Sequence, residues 1–97
     1  LHVPKNSLAK LLNIENLSKE ELLKFAKDED VDIRVLAARN PSASKEIFEI
    51  LIKDKNWIVR EAIAKNLNAP KEILELLAKD EDSDVQKAVK QNPNYKK

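Results

Sequence analysis

Apolar residues arrive along this chain in short bursts separated by charged turns. Ile47, Phe48, Leu51 and Ile52 form one burst, and Ile73, Leu74, Leu77 and Ala78 another, each at i, i+1, i+4 and i+5. That spacing places four side chains on one face of a helix. A second burst follows each of these: Val59, Ala62 and Ile63, then Val85, Ala88 and Val89, at i, i+3 and i+4. Its small residues predict close approach between neighbouring helices. No segment alternates with a sustained period of two, so the pattern predicts an all-α chain without a sheet.

The bursts recur. Segment 40–65 overlays 66–91 without a gap and matches at 11 of 26 positions, and 14–39 matches 66–91 at 10. Unrelated segments of that length share roughly one or two positions at average residue usage. The identities fall in columns: Lys19, Lys45 and Lys71; Glu20, Glu46 and Glu72; Lys27, Lys53 and Lys79; Asp28, Asp54 and Asp80. The apolar columns are Leu22, Phe48, Leu74; Phe25, Leu51, Leu77; Ile33, Val59, Val85; Leu36, Ala62, Ala88; and Ala37, Ile63, Val89. Three two-helix units (14–39, 40–65 and 66–91) are expected to stack as an α-solenoid, because one such unit cannot bury its own apolar faces. The whole chain, 1–97, is read as a single array. Residues 1–13 are expected to cover the first unit, with Leu8, Leu11, Leu12 and Ile14 as a helical stripe, and 92–97 to begin a further one. That uncovered C-terminal end points to a partner or a second copy there. The chain begins at Leu1 without an initiator Met, which fits a processed product or a piece of a longer protein.

Helix boundaries follow the same columns. Asn16, Ser42, Asn68 and Asn94 are placed to cap the first helices, and Asp30, Asn56 and Asp82 the second. Pro70 falls in a first turn, which tolerates it. The pairs Asn40-Pro41 and Asn92-Pro93 are expected to end the second helices, since a residue before proline is pushed out of the helical region. Glycine is absent, so asparagine is expected to serve wherever a left-handed turn is needed.

At this point the residues resemble the leucine-rich repeat variant family, whose units carry an Asn-Pro turn, a leucine-rich helix, an acidic turn and a Val-Arg-x-Ala-Val stretch. Asn40-Pro41, Asn92-Pro93, Pro70, Leu74, Leu77, Asp80, Asp82, Val85, Ala88 and Val89 carry the resemblance, with Val59-Arg60-Glu61-Ala62-Ile63 closest to the last element. Ile14-Glu15 and Asn66-Leu67 depart from the Asn-Pro pair, and Gln86 from the arginine. The resemblance implies a right-handed superhelix in which the second helix of each pair is the shorter one, often 3₁₀. HEAT-like repeats are the structural alternative. Some members carry an iron–sulfur module, which a chain without cysteine does not.

Composition narrows the chemistry. With no cysteine there are no disulfides, thiolate metal sites or cysteine nucleophiles. Lys and Arg number 18 against 17 Asp and Glu, a net charge of +1, so no global field favours nucleic acid or an anionic membrane. The apolar runs fall far short of the ~20 residues that span a bilayer. A cytoplasmic location is the default for such a chain.

Asp28-Glu29-Asp30-Val31-Asp32 and Asp80-Glu81-Asp82-Ser83-Asp84 resemble the opening of a calcium loop. Glycine is missing at the sixth position, and Arg39 and Gln91 stand at the twelfth, so these read as interhelical turns and no metal is expected. A basic stripe on the second helices, Arg34 with Arg60, Arg39 with Lys65, then Lys87 and Lys90, would suit phosphates, but Asp32, Glu61 and Asp84 interrupt it. Trp57 shares a column with Val31 and Ser83, so the repeat does not require it; it is a candidate binding anchor or a local gap-filler. His2, the lone histidine, has no Asp or Ser pattern around it, and the sequon Asn16-Leu17-Ser18 reads as coincidence. The sequence therefore predicts a non-catalytic scaffold without a cofactor, contacting a protein partner through Trp57, Arg34, Arg60, Arg39 and Lys65. The alternative is a nucleic-acid-binding repeat.

Overall fold

Buried apolar stripes, with side-chain caps at four of the N-termini, set six helices along residues 17–96, the part of the chain that this computed structural model describes. Among those residues there is no strand. The expected N-terminal cover and the cap Asn16 lie outside them. Helices α1 (Lys19–Ala26), α3 (Lys45–Leu51) and α5 (Lys71–Leu77) alternate with α2 (Val31–Arg39), α4 (Trp57–Lys65) and α6 (Ser83–Gln91). The second helix of each pair, expected to be the shorter and often 3₁₀, is α-helical and nine residues long, against seven or eight for its partner. Tight i→i−3 bonds lie at the ends of these helices: Ile33 N–H bonds Asp30 O and Val59 N–H bonds Asn56 O in first turns, and Asn40 N–H bonds Ala37 O and Asn66 N–H bonds Ile63 O at the exits.

Asp30, Asn56 and Asp82 cap α2, α4 and α6 as expected, accepting the N–H of Asp32, Ile58 and Asp84 at 2.8, 2.9 and 2.8 Å. The other caps differ from expectation. Ser18, Ser44 and Pro70 occupy the N-cap positions of α1, α3 and α5, two residues beyond the expected column. Ser18 forms a reciprocal capping box with Glu21, while Ser44 makes no side-chain cap bond.

The absence of glycine has a conformational counterpart. Among the described residues none has a positive φ. Asn40, Asn66 and Asn92 leave α2, α4 and α6 in extended geometry, with ψ of 128°, 121° and 124°. Asn66 precedes Leu67 rather than proline, so proline is not what ends the helix. The shared cause is the asparagine side chain: Oδ1 of Asn40, Asn66 and Asn92 accepts the N–H of Ser42, Asn68 and Asn94 at 2.8, 2.8 and 2.9 Å. This local ring competes with another helical turn and turns the chain outward.

Packing supplies what helices this short lack, since isolated helices under about 12 residues are marginal in water. Leu22, Phe48 and Leu74 are buried, as are Phe25, Leu51 and Leu77, Ile33, Val59 and Val85, and Ala37, Ile63 and Val89. Each large aliphatic side chain contributes roughly 1.5–3 kcal/mol on burial. Buried Ala38 and Ala64 let α2, α4 and α6 lie side by side, α4 in the middle, while α1 packs on α2 and α3, and α5 on α4 and α6. The long axis of the molecule is 39 Å against 22 and 18 Å across. None of its described helices is long and apolar enough to cross a membrane.

Candidate functional site

Arg34 and Arg60 face inward between helix pairs and not outward to a partner. Arg34 Nε donates to Asp54 Oδ2 at 2.7 Å and its Nη1 to the Asp28 and Glu29 carbonyls at 2.8 and 3.0 Å. Arg60 Nε donates to Asp80 Oδ2 at 2.8 Å and its Nη1 to Asp54 O at 2.6 Å. All four charged side chains are largely buried. A forked guanidinium, with five N–H donors fixed in one plane, engages a carboxylate through Nε and Nη2 while Nη1 serves backbone carbonyls. The basic stripe therefore loses both members of its first column, because their charge is neutralised within the fold. Asp54 and Asp80 each also accept the N–H two residues on, at 2.9 Å. Gln86, in the arginine column, keeps the bond to the Asp80 carbonyl.

The asparagine column carries a second connection that composition alone did not reveal. Asn66 Nδ2 donates to Ala38 O at 2.8 Å and to Asn40 O at 3.0 Å, 28 and 26 residues back. Asn92 repeats this on Ala64 O and Asn66 O at 2.8 and 2.9 Å. Asn40, Asn66 and Asn92 are only 2%, 6% and 3% exposed, so these amides need such partners. Asn68, expected as a cap, instead donates to Pro41 O at 2.9 Å, and Asn94 to Leu67 O and Ala69 O. The signal was present in the sequence: an asparagine repeated at 40, 66 and 92 regardless of a following proline.

Exposed ion pairs complete the joints. Lys19 reaches Glu46 at 3.2 Å and Lys45 reaches Glu72 at 3.1 Å. The hydrogen bond and charge of Glu72 hold the Lys45 ammonium above its ordinary pKa. Both pairs remain in solvent, where salt screens them.

Among the described residues, a groove of about 580 Å³ lies between α2 and α4. Its lining runs from buried Ala62 and half-buried Val35 and Glu61 to exposed Arg39, Lys65, Ile58 and Leu67. Ile58 is 44% exposed and Leu67 68%; of the described large aliphatic side chains only Leu76, away from this groove, is comparably exposed. Of the five candidate contacts, the groove gathers Arg39 and Lys65. Trp57, 40% exposed at the start of α4, adjoins Ile58 in sequence but does not line it. Lys65 pairs with Glu61 at 3.5 Å across one helical turn. Lys87 and Lys90 are exposed on α6.

The far face of the α5–α6 pair differs chemically from the joints before it. Lys90 stands in the column of Ala38 and Ala64, both fully buried, and is itself exposed. Leu76, on α5, is 60% exposed. In the acidic turns, the carboxylates of Asp28, Asp30, Asp54, Asp80 and Asp82 accept backbone N–H groups. Among the described residues no three His, Cys, Asp or Glu side chains gather where they could hold a metal ion.

No protein-family model, no curated protein and no solved structure matches the chain.

Proposed function

We propose that the helix pairs form a right-handed α-solenoid of 26-residue units, akin to leucine-rich repeat variant proteins, that binds a protein partner in the α2–α4 groove and catalyses nothing. The observation that carries the binding reading is the pair Ile58 and Leu67, held in solvent at the edge of a groove with an apolar floor. Exposed aliphatic residues beside a cleft cost solvation without contributing to the core, and such patches mark interaction sites. The solenoid reading is supported by joints that recur: the Arg–Asp fork and the asparagine amide each appear twice, offset by the same interval as the sequence columns. The ionisable side chains that the fold buries together are spent on one another, which suits a framework better than chemistry. With Arg34 and Arg60 neutralised, the stripe that favoured phosphates is reduced, so protein is the preferred partner.

The test is selection of peptides from a random display library against the intact chain, with an Ile58→Asp/Leu67→Asp double variant as counter-target. Both positions are exposed, so circular dichroism should show an unchanged helix content. Selected peptides are expected to bind with micromolar affinity, given so small a groove, and to weaken at least about tenfold on the double variant. Peptides that bind both proteins equally, or a selection that enriches none, would remove the groove from the function.

A further inference from the structure

We infer that the α2–α4 groove takes a short acidic–aliphatic segment, one in which leucine-type side chains alternate with carboxylates. The inference rests on the partner-binding reading above and adds the chemistry of the partner.

The floor sets the first half of that chemistry. Val35, Ala62, Ile58 and Leu67 offer aliphatic surface and no aromatic ring, so they suit branched side chains and give a nucleobase nothing to stack on. The apolar strip is also short. In the sequence columns one unit further on, Glu61 replaces Val35, Asp84 replaces Ile58 and Pro93 replaces Leu67. The site is therefore one step long, and its volume lies in the range of clefts that bury a small ligand or a few residues of peptide.

The rim sets the second half. Arg39 lines the groove, is exposed, and its side chain makes no hydrogen bond or ion pair among the described residues. Arg34 and Arg60, on the same helices, are each matched to one aspartate. Arg39 thus keeps a whole guanidinium fork available, the geometry that carboxylates accept bidentately. Lys65, itself largely exposed, adds a second cation, held by half-buried Glu61 through a single 3.5 Å contact that a competing carboxylate can replace. A lysine-rich segment would meet both cations against one glutamate.

The test uses three fluorescent peptides of equal length, alternating leucine with aspartate, serine or lysine, and a single-stranded thymidine oligonucleotide. Each is titrated with the intact chain by anisotropy at about 50 and about 300 mM salt. The aspartate peptide is expected to bind at least about tenfold tighter than the lysine peptide and to weaken several-fold at the higher salt. Arg39→Glu should invert the order, and Ile58→Asp should weaken the aspartate peptide. If the three peptides bind alike, or none binds while display-selected peptides do, the charge inference falls and the groove reading survives. If the oligonucleotide binds tightest and Arg39→Glu releases it, or if no peptide binds by either route, both fall.

Discussion

One side chain does three jobs at Asn66: it ends α4, holds the outgoing turn through Asn68 N–H, and ties that turn to the Ala38 and Asn40 carbonyls of the preceding pair. Truncation to alanine would leave the buried Ala38 carbonyl and the Asn68 N–H without this partner, while the Asn40 carbonyl keeps the Ala43 N–H, at about 1–3 kcal/mol for each unsatisfied group. Urea denaturation is therefore expected to show a loss of at least about 2 kcal/mol for Asn66→Ala, and under about 1 kcal/mol for Asn68→Ala, whose residue is exposed. Equal losses would show that the buried amide is not the anchor. Ser44 presents the converse case. Its hydroxyl has no partner although buried, and its backbone, at φ −86° and ψ 167°, nearly matches Pro70 in the same column at −71° and 156°. Ser44→Pro is expected to stabilise by about 0.4–1 kcal/mol, because it restricts the unfolded chain at a position whose native geometry proline adopts. A fall in the urea midpoint would mean that the backbone there is less compatible than its dihedral angles indicate.

At the scale of the helix, what decides stability is what each short element rests on. Ala64 is fully buried on α4 where α6 packs, whereas Lys90, in its column on α6, is exposed. Ala64→Lys would place an ammonium and four methylenes where only a methyl fits, and is expected to cost at least about 3 kcal/mol or abolish folding. Lys90→Ala is expected to change stability by less than about 0.5 kcal/mol, since it exchanges one exposed good helix former for another. Thermal melts of the two variants check this contrast, and similar Tm values would contradict the packing described. The helices and their buried faces were legible in sequence because apolar spacing reports directly on the face a helix hides. The column of Ile33, Val59 and Val85 and the caps Asp30, Asn56 and Asp82 were read correctly for that reason. Arg34 and Arg60 were not, because sequence spacing shows that two cations line up but not that Asp54 and Asp80, twenty residues on, meet them from the next turn. The groove was only half visible: Arg39 and Lys65 stood out as charges, while Ile58 and Leu67 looked like ordinary apolar residues until the fold left them outside.

Across the whole molecule, the buried residues form one continuous cluster, and α4 lies in the middle of the helix contacts. Helix α4 packs on α2, α3, α5 and α6, whereas among the described residues α6 rests mainly on α4 and α5. A core cavity should therefore act differently according to where it is made. Ile63→Ala in α4 removes a fully buried side chain from the element that joins both ends, at about 2–5 kcal/mol, and should loosen the whole array. Val89→Ala in α6 removes an equally buried side chain from an element whose partners lie on one side. Its cost should fall mainly on α5 and α6, which can open while α1 to α3 keep their own contacts. Native-state hydrogen exchange distinguishes the two cases. Ile63→Ala is expected to speed exchange of the slowest amides in all six helices by similar factors. Val89→Ala should speed those of α5 and α6 at least about tenfold more than those of α1 and α2, which corresponds to about 1.4 kcal/mol of local opening. Uniform acceleration by both variants would mean that the described residues unfold as one cooperative block, and that the joints made by Asn66 and Arg60 couple distant helices more strongly than nearest-neighbour packing provides.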